Sequence, residues 1–260
     1  MPGRQRFEGR VAIVTGGAGG IGRAISAALA GEGAAVAVVD VDARAAEETA
    51  AVLRERGTAA QAFGCDVSEP GGVGAMVEGV ATALGTPGVL VNAAGGSLGT
   101  PRDLADIAPE HLDLVLDVNL KGTFLCAQAV VPYMRDAGGG SIVNVSSIGG
   151  RSASPVTGVP YAAAKSGVLG LTRRLAREVG PWRIRVNAVA PGLFLSGPRL
   201  SGMWAALSDG ERREVLDAIP LGRMPELSEA ADPVLYLASD EASYITGAVL
   251  DVNGGRFMSG

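Results

Sequence analysis

Tyr161 and Lys165 stand four residues apart, separated by three alanines. Alanine favours helix, and on a helix such a pair leaves one face about a turn apart. A phenol beside an ammonium is an acid/base device, since the positive charge favours the phenolate and is expected to lower the tyrosine pKa towards working pH. A surface helix that happens to carry both residues is the competing interpretation. Composition favours chemistry: of 22 basic residues only Lys121 and Lys165 are lysines. A chain that uses Arg almost everywhere and keeps Lys here calls for a compact ammonium rather than a planar fork.

A second feature is the stretch Thr15-Gly16-Gly17-Ala18-Gly19-Gly20-Ile21-Gly22. It follows the apolar run Val11–Val14, a short buried strand, and precedes a helical stretch from Arg23 to Ala30. In that setting glycines let the backbone approach a pyrophosphate, and the helix N-terminus supplies amides. Two registers fit. Gly17, Gly19 and Gly22 spell GxGxxG; Thr15, Gly16, Gly20 and Gly22 spell TGxxxGxG. A purely structural turn is the alternative in a chain with 39 glycines. The next strand, Ala35 to Val39, ends in Asp40, near the ~20-residue offset expected of the acidic residue that bonds the adenine ribose hydroxyls. A carboxylate there repels a 2′-phosphate, and no Arg or Lys lies in the glycine turn or at Val41, so NAD is favoured over NADP. A turn-capping Asp40 remains the structural alternative.

The elements that must position these groups alternate along the chain. A charged-faced helix spans Asp42 to Arg56. A third strand, Ala60–Phe63, leads into Cys65-Asp66-Val67, and a helix over Val73–Leu84 follows. The fourth strand, Gly88–Val91, runs into Asn92-Ala93-Ala94-Gly95-Gly96. One long helix is expected over Pro109–Ala137, with Asn119 near its middle. The fifth strand, Ser141–Val145, ends in Ser146-Ser147, and the helix carrying Tyr161 runs to Val179. A sixth strand, Arg183–Ala190, stops at Pro191-Gly192; a helix over Ala230–Ala238 and a strand over Ala248–Val252 close the pattern. Alternation with short turns implies an α/β fold: a doubly wound, Rossmann-like parallel sheet with helices on both faces, a single domain over residues 1–260. Hydrophobic residues at 47% and aromatics at 4% make the core aliphatic.

Several function classes are disfavoured. A net charge of −5 without a basic run speaks against nucleic acid. No run approaches 18 apolar residues, so no membrane span is expected. The N-terminal MPGRQRFEGR is not followed by a signal-peptide core. Cys65 and Cys126 are isolated, which suggests reduced thiols in a cytoplasmic protein. His111 has no neighbouring ligand set, so no metal is expected.

In this order, Thr15-Gly16-x-x-x-Gly20-Ile21-Gly22, Asp66-Val67, Asn92-Ala93-Ala94-Gly95, Asn119, Ser146-Ser147, Tyr161-x-x-x-Lys165 and Pro191-Gly192 resemble the short-chain dehydrogenase/reductase family over nearly the whole chain. The resemblance implies that Tyr161 exchanges a proton with the substrate oxygen and that Lys165 lowers its pKa and bonds the nicotinamide ribose. It implies that Ser147 polarises the substrate oxygen and that Asn119 holds a water linking Lys165 to solvent. Asp66 and Val67 would contact the adenine, Asn92, Ala93 and Gly95 would support the sheet and line the cofactor, and Pro191, Gly192 and Ser196 would border the nicotinamide. Ser146 could instead be the active hydroxyl, and Asn119 could satisfy a helix kink. The chain departs from the family in three places: Ser147 and Tyr161 are one residue further apart than is commonest, Ala93 stands for a second Asn, and Gly88 stands for Asp.

Residues 193–224 occupy the place of the family's substrate lid. Phe194, Leu195, Leu200, Met203, Trp204 and Leu207 make that stretch apolar, which suggests a hydrophobic secondary alcohol or ketone; packing of the lid is the alternative. Arg151 and Arg199 could receive a carboxylate but are assigned no role. The family pairs long helices into homotetramers or homodimers. The resulting expectation is an NAD-dependent oxidoreductase for a secondary alcohol. An NADPH ketoreductase of the 3-oxoacyl carrier type and a non-catalytic NAD-binding regulator are the alternatives.

Overall fold

The computed structural model describes residues 5–153 and 156–259; residues 1–4, 154–155 and 260 of the expected domain lie outside the described residues. Seven strands form one sheet: β1 Val11–Thr15, β2 Ala35–Asp40, β3 Ala60–Gly64, β4 Pro87–Asn92, β5 Gly140–Val145, β6 Ile184–Pro191 and β7 Val249–Val252. Their order is β3-β2-β1-β4-β5-β6-β7, and every pairing is parallel. Strands buried on both faces need continuous apolar runs rather than alternation, and β1 is buried throughout. Ala12, Val14, Val36 and Val38 face one core with helices α1 (Gly20–Gly31), α2 (Ala43–Glu55) and α9 (Ser228–Ala238). Val11, Ile13, Ala37 and Val39 face a second core with α3 (Pro70–Ala83), α5 (Gly122–Asp136) and α6 (Val159–Val179). The three-layer arrangement follows from that two-sided apolarity.

The order reverses between β1 and β4, after the chain crosses over from β3. At such a reversal adjacent βα loops part and open a crevice beyond the carboxyl ends of the strands. Thr15 holds this junction closed beneath the crevice: its Oγ1 accepts from the amides of Ala93 and Ala94, each at 3.2 Å.

The expected helix over Pro109–Ala137 forms as one run, Pro109–Asp136, with a π-helical turn inside it. It comprises α4 (Pro109–Leu116), a π-helical turn over Asp117–Lys121, and α5. Asn119 lies in the wide turn, fully buried. Its Nδ2 donates to the carbonyls of Val115 (2.9 Å) and Gly96 (3.0 Å), and its Oδ1 accepts from the Gly96 amide (2.9 Å). A side chain that bonds one strand-exit residue on both sides favours the extra residue in the turn, a common origin of such bulges. Apolar periodicity cannot register one inserted residue. Helix starts also moved: α1 begins at Gly20 and α3 at Pro70, where proline is preorganised for the first turn. The lid region folds into α7 (Pro198–Ala206) and α8 (Asp209–Asp217). His111 caps α4, its Nδ1 accepting from the Ala108 amide at 3.1 Å.

Candidate active site

All seven strands deliver their carboxyl ends to one cleft of about 640 Å³. Of the residues singled out in the sequence, Gly16, Gly20, Ile21, Gly22, Asp40, Asp66, Val67, Ala93, Gly95, Ser147, Tyr161, Lys165, Pro191, Gly192 and Ser196 line it. Asn92 and Asn119 do not. Asn92 is 3% exposed and turned into the sheet. Its Nδ2 donates to Asn144 Oδ1 at 2.9 Å, and Asn144 Nδ2 donates to Thr172 Oγ1 at 2.9 Å. This chain ties β4 and β5 to α6, the helix that carries Tyr161. Asn92 therefore supports the sheet without touching the cleft.

The glycine turn adopts the TGxxxGxG register. Gly16 has φ +64, and a Cβ there would lie 2.8 Å from the Ala94 backbone; a Cβ at Gly22 would lie 2.1 Å from the Gly16 carbonyl oxygen. Gly19 opens onto free space at the N-terminus of α1, whose first-turn amides lack helical partners. A cradle that a Cβ would fill, beside free amides, fits a pyrophosphate. At the end of β2 the Asp40 carboxylate accepts from the amides of Ala18 and Asp42, each at 3.2 Å, which locks it beside the turn. Asp66 accepts from the Ser68 hydroxyl (2.7 Å) and amide (2.9 Å). Those bonds hold its carboxyl below the usual range, with a smaller pull from Lys121. Asp40 and Asp66 are the acidic residues of the cleft, and both follow strands at its β2–β3 end.

The proton-handling groups gather at the other end. Ser146 and Ser147 both reach the cleft lining at the end of β5, but their hydroxyls have different partners. Ser146 is 2% exposed, and its Oγ donates to the Lys165 carbonyl at 2.8 Å, so it is spent on α6. Ser147 lines the cleft, accepts from the Gly149 amide at 3.0 Å, and is hydrogen-bonded to the Tyr161 hydroxyl. One turn along α6, Lys165 is 4% exposed. Its Nζ donates to the Val145 carbonyl at 2.8 Å and lies 5.7 Å from the centre of the Tyr161 ring. Gly95 closes the group: a Cβ there would lie 2.3 Å from Asn119 Oδ1 and 3.4 Å from Lys165 Nζ.

The electrostatics correct one expectation. Burial pushes the Tyr161 phenol above its ordinary value, and the Ser147 hydrogen bond and the charge of Arg199 only partly offset this. Burial alone takes Lys165 down to about 8. Shared helix spacing predicts that an ammonium lowers the tyrosine; it carries no information on how dry the pair is, and here desolvation of the phenolate is the largest influence, opposed by Ser147 and Arg199.

The lid and the arginines also differ from expectation. Phe194 and Leu200 line the cleft, but Leu195, Met203, Trp204 and Leu207 do not; Met203 is exposed, and Trp204 packs under the Arg212 guanidinium. Arg151 is not free to receive a substrate carboxylate. It pairs with Asp251 at 3.2 Å and stacks over Phe257. Arg199 and Arg256 do line the cleft. Arg256 was not singled out in the sequence, where nothing marks one arginine among twenty.

The sequence profile of the family described as enoyl-(acyl carrier protein) reductase matches residues 16–256. The chain is 41% identical to the (3R)-3-hydroxyacyl-CoA dehydrogenase of Rattus norvegicus, over 99% of this chain and all of that protein. It is 40% identical to a 3-oxoacyl-(acyl-carrier-protein) reductase of Thermotoga maritima, over 96% and 98% of the two chains. Among solved structures, a 3-oxoacyl-(acyl-carrier protein) reductase of Brucella melitensis with bound NAD superposes with a TM-score of 0.88 at 36% identity, covering 98% of this chain and 94% of that one.

Proposed function

The chain belongs to the short-chain dehydrogenase/reductase family and is an oxidoreductase interconverting a secondary alcohol and a ketone; from that premise we propose that it uses NAD and moves the proton through Tyr161, with Ser147, Lys165 and Asn119 in support. The observation that carries this reading is the gathering of Ser147, Tyr161 and Lys165 on the cleft lining, with the buried Lys165 Nζ 5.7 Å from the centre of the Tyr161 ring. When bound, the nicotinamide supplies or accepts the hydride. Gly16, Gly20, Ile21 and Gly22 would hold the pyrophosphate, Asp66, Val67, Ala93 and Gly95 would line the adenine and ribose path, and Pro191, Gly192 and Ser196 would border the ring.

Ser147 Oγ takes a bond from the Gly149 amide. Its hydroxyl bears on the Tyr161 hydroxyl in the sense that favours the phenolate, and both side chains line the cleft where a substrate oxygen can meet them. In reduction, the neutral phenol gives its proton to that oxygen as hydride arrives. A raised phenol pKa suits this direction, because the acid stays loaded at neutral pH. In oxidation the phenolate accepts the proton, and Lys165, cationic below about pH 8, offsets its charge. Asn119 acts by fixing Gly95 and Gly96 against Lys165.

Asp40 supports NAD over NADP. Its carboxylate is fixed at the end of β2, and no cation lines the β2–β3 end of the cleft among the described residues. Names among the relatives favour a ketoreductase as the second reading. Turnover with NAD and NADP against a panel of alcohols and ketones decides between them. Tyr161→Phe should keep NADH binding and lose about 100-fold or more in turnover, the range of general acid/base contributions; a near-normal rate would refute its role.

We also propose a cytoplasmic homotetramer or homodimer. Pro109–Asp136 is long and apolar enough to cross a membrane, but it packs on β4, α3 and α6. The exposed Phe124 on α5, and separately the exposed Tyr244 and Leu250 near β7, suit subunit contacts. Sedimentation of the purified protein tests this.

A further inference from the structure

The charges of the cleft are sorted by sign. Asp40 and Asp66 follow β2 and β3. Lys165, Arg199 and Arg256 lie on α6, on α7 and just beyond β7. Five inter-strand steps separate β2 from β7, roughly 24 Å at about 4.8 Å each. The β5–β7 end therefore presents three cations, and no acidic side chain lines it among the described residues. That is unexpected on a chain with a net charge of −5.

About half of the arginines here are neutralised, and exposed ones such as Arg23, Arg173 and Arg213 are left to solvent. Arg6 pairs with Glu32 and Glu241, Arg10 with Asp240, Arg54 with Glu47, and Arg223 with Glu229. Among the described residues neither Arg199 nor Arg256 has an ion pair or a side-chain hydrogen bond. A solvated surface arginine is the ordinary explanation of one such residue. It does not explain two on the wall of the cleft that holds Tyr161, one of them carried on a braced segment. Arg256 follows Asn253, whose Oδ1 accepts from the Gly255 and Phe257 amides at 3.0 and 3.3 Å. Phe257 is stacked under Arg151, which is anchored on Asp251 of β7. The C-terminal segment is thus pinned on both sides of Arg256. Arg199, exposed to solvent, sits in the first turn of α7, and its charge is felt at the Tyr161 hydroxyl.

We propose that Arg199 and Arg256 form an anion clamp at the β5–β7 end of the cleft, and that the substrate is a ketone or secondary alcohol bearing a carboxylate or phosphate. This deepens the alcohol–ketone reading above and rests on it. Guanidinium groups suit both anions through paired N–H donors. A carboxylate on the substrate itself and the phosphates of a thioester carrier such as coenzyme A share this chemistry, and the test separates them.

The probes are two pairs with one reacting group: acetoacetate against its ethyl ester, and acetoacetyl-coenzyme A against the uncharged acetoacetyl-N-acetylcysteamine thioester. Each is assayed for reduction with whichever nicotinamide cofactor the enzyme prefers. The wild type should favour the charged member of at least one pair by tenfold or more in kcat/KM, and its KM for that member should rise with ionic strength. Arg199→Gln and Arg256→Gln should each lose at least tenfold more on the charged member than on the uncharged one, mainly in KM, while still binding NADH by fluorescence titration. Preference within the acetoacetate pair identifies a substrate carboxylate; preference within the thioester pair identifies carrier phosphates. Equal rates within both pairs, or equal losses on charged and uncharged members, overturn the clamp and leave the alcohol–ketone chemistry standing. A wild type that reduces none of the four by a Tyr161-dependent route overturns the parent reading and the clamp together.

Discussion

Replacing Lys165 with methionine should make the protein more stable and leave it nearly inactive. The ammonium is 4% exposed and has one hydrogen-bond acceptor, the Val145 carbonyl at 2.8 Å. Burial takes its pKa from 10.5 to about 8. At about 1.4 kcal/mol per tenfold change in proton affinity, holding the charge below pH 8 costs the folded state about 3 kcal/mol. Methionine keeps the unbranched length without the charge, but it leaves the Val145 carbonyl unpaired, a loss of about 1–2 kcal/mol. The net gain at pH 7 is therefore about 1–2 kcal/mol, or about 4 °C in Tm for a chain of this size. The sign follows from linkage. The folded-state pKa lies below the unfolded value, so between pH 8 and 10.5 the unfolded chain binds more protons, and wild-type stability rises through that window relative to the variant. Above it, the neutral amine keeps its hydrogen bond at no charging cost, and wild type should be the more stable by about 1–2 kcal/mol. Urea unfolding of both proteins at pH 7, 9 and 11 measures the difference, and steady-state turnover at pH 7 should fall by about 100-fold or more. A variant less stable than wild type at pH 7, or a difference that ignores pH, would refute the argument that the lysine is held charged at a cost.

The two serines after β5 should separate cleanly. Ser146→Ala removes the bond to the Lys165 carbonyl and should cost about 1 kcal/mol of stability with little loss of rate; Ser147→Ala should lower kcat by tenfold or more while urea midpoints barely move. The reverse pattern would assign the active hydroxyl to Ser146. Asp40→Ala should raise the NADP/NAD ratio of kcat/KM by tenfold or more, by removing the charge that opposes a 2′-phosphate; an unchanged ratio would mean that another group reads the ribose.

Much of this protein was legible without coordinates. Strands buried on both faces write continuous apolar runs, so Val11–Val14 and Ala35–Val39 announce a parallel sheet, and the glycine turn, Asp40, Asp66 and the Ser146-Ser147 pair sit at strands' carboxyl ends, where such sheets open. The glycine turn declares itself because backbone must pass within van der Waals distance of backbone. Tyr161 and Lys165 declare themselves because four residues make one helical turn. These are all local statements, fixed by spacing along the chain.

Tertiary structure decided what spacing cannot carry. It set the π-turn at Asn119, because the bond that stabilises it comes from Gly96, 23 residues away. It turned Asn92 away from the cleft to Asn144, tied Arg151 to Asp251, and left Arg199 and Arg256 without ion pairs on the lining of the cleft that holds Tyr161. It also reversed the expected drift of the tyrosine's acidity. A pKa depends on how much water and how many charges surround a group in three dimensions, and the sequence orders residues without stating what the fold removes from solvent.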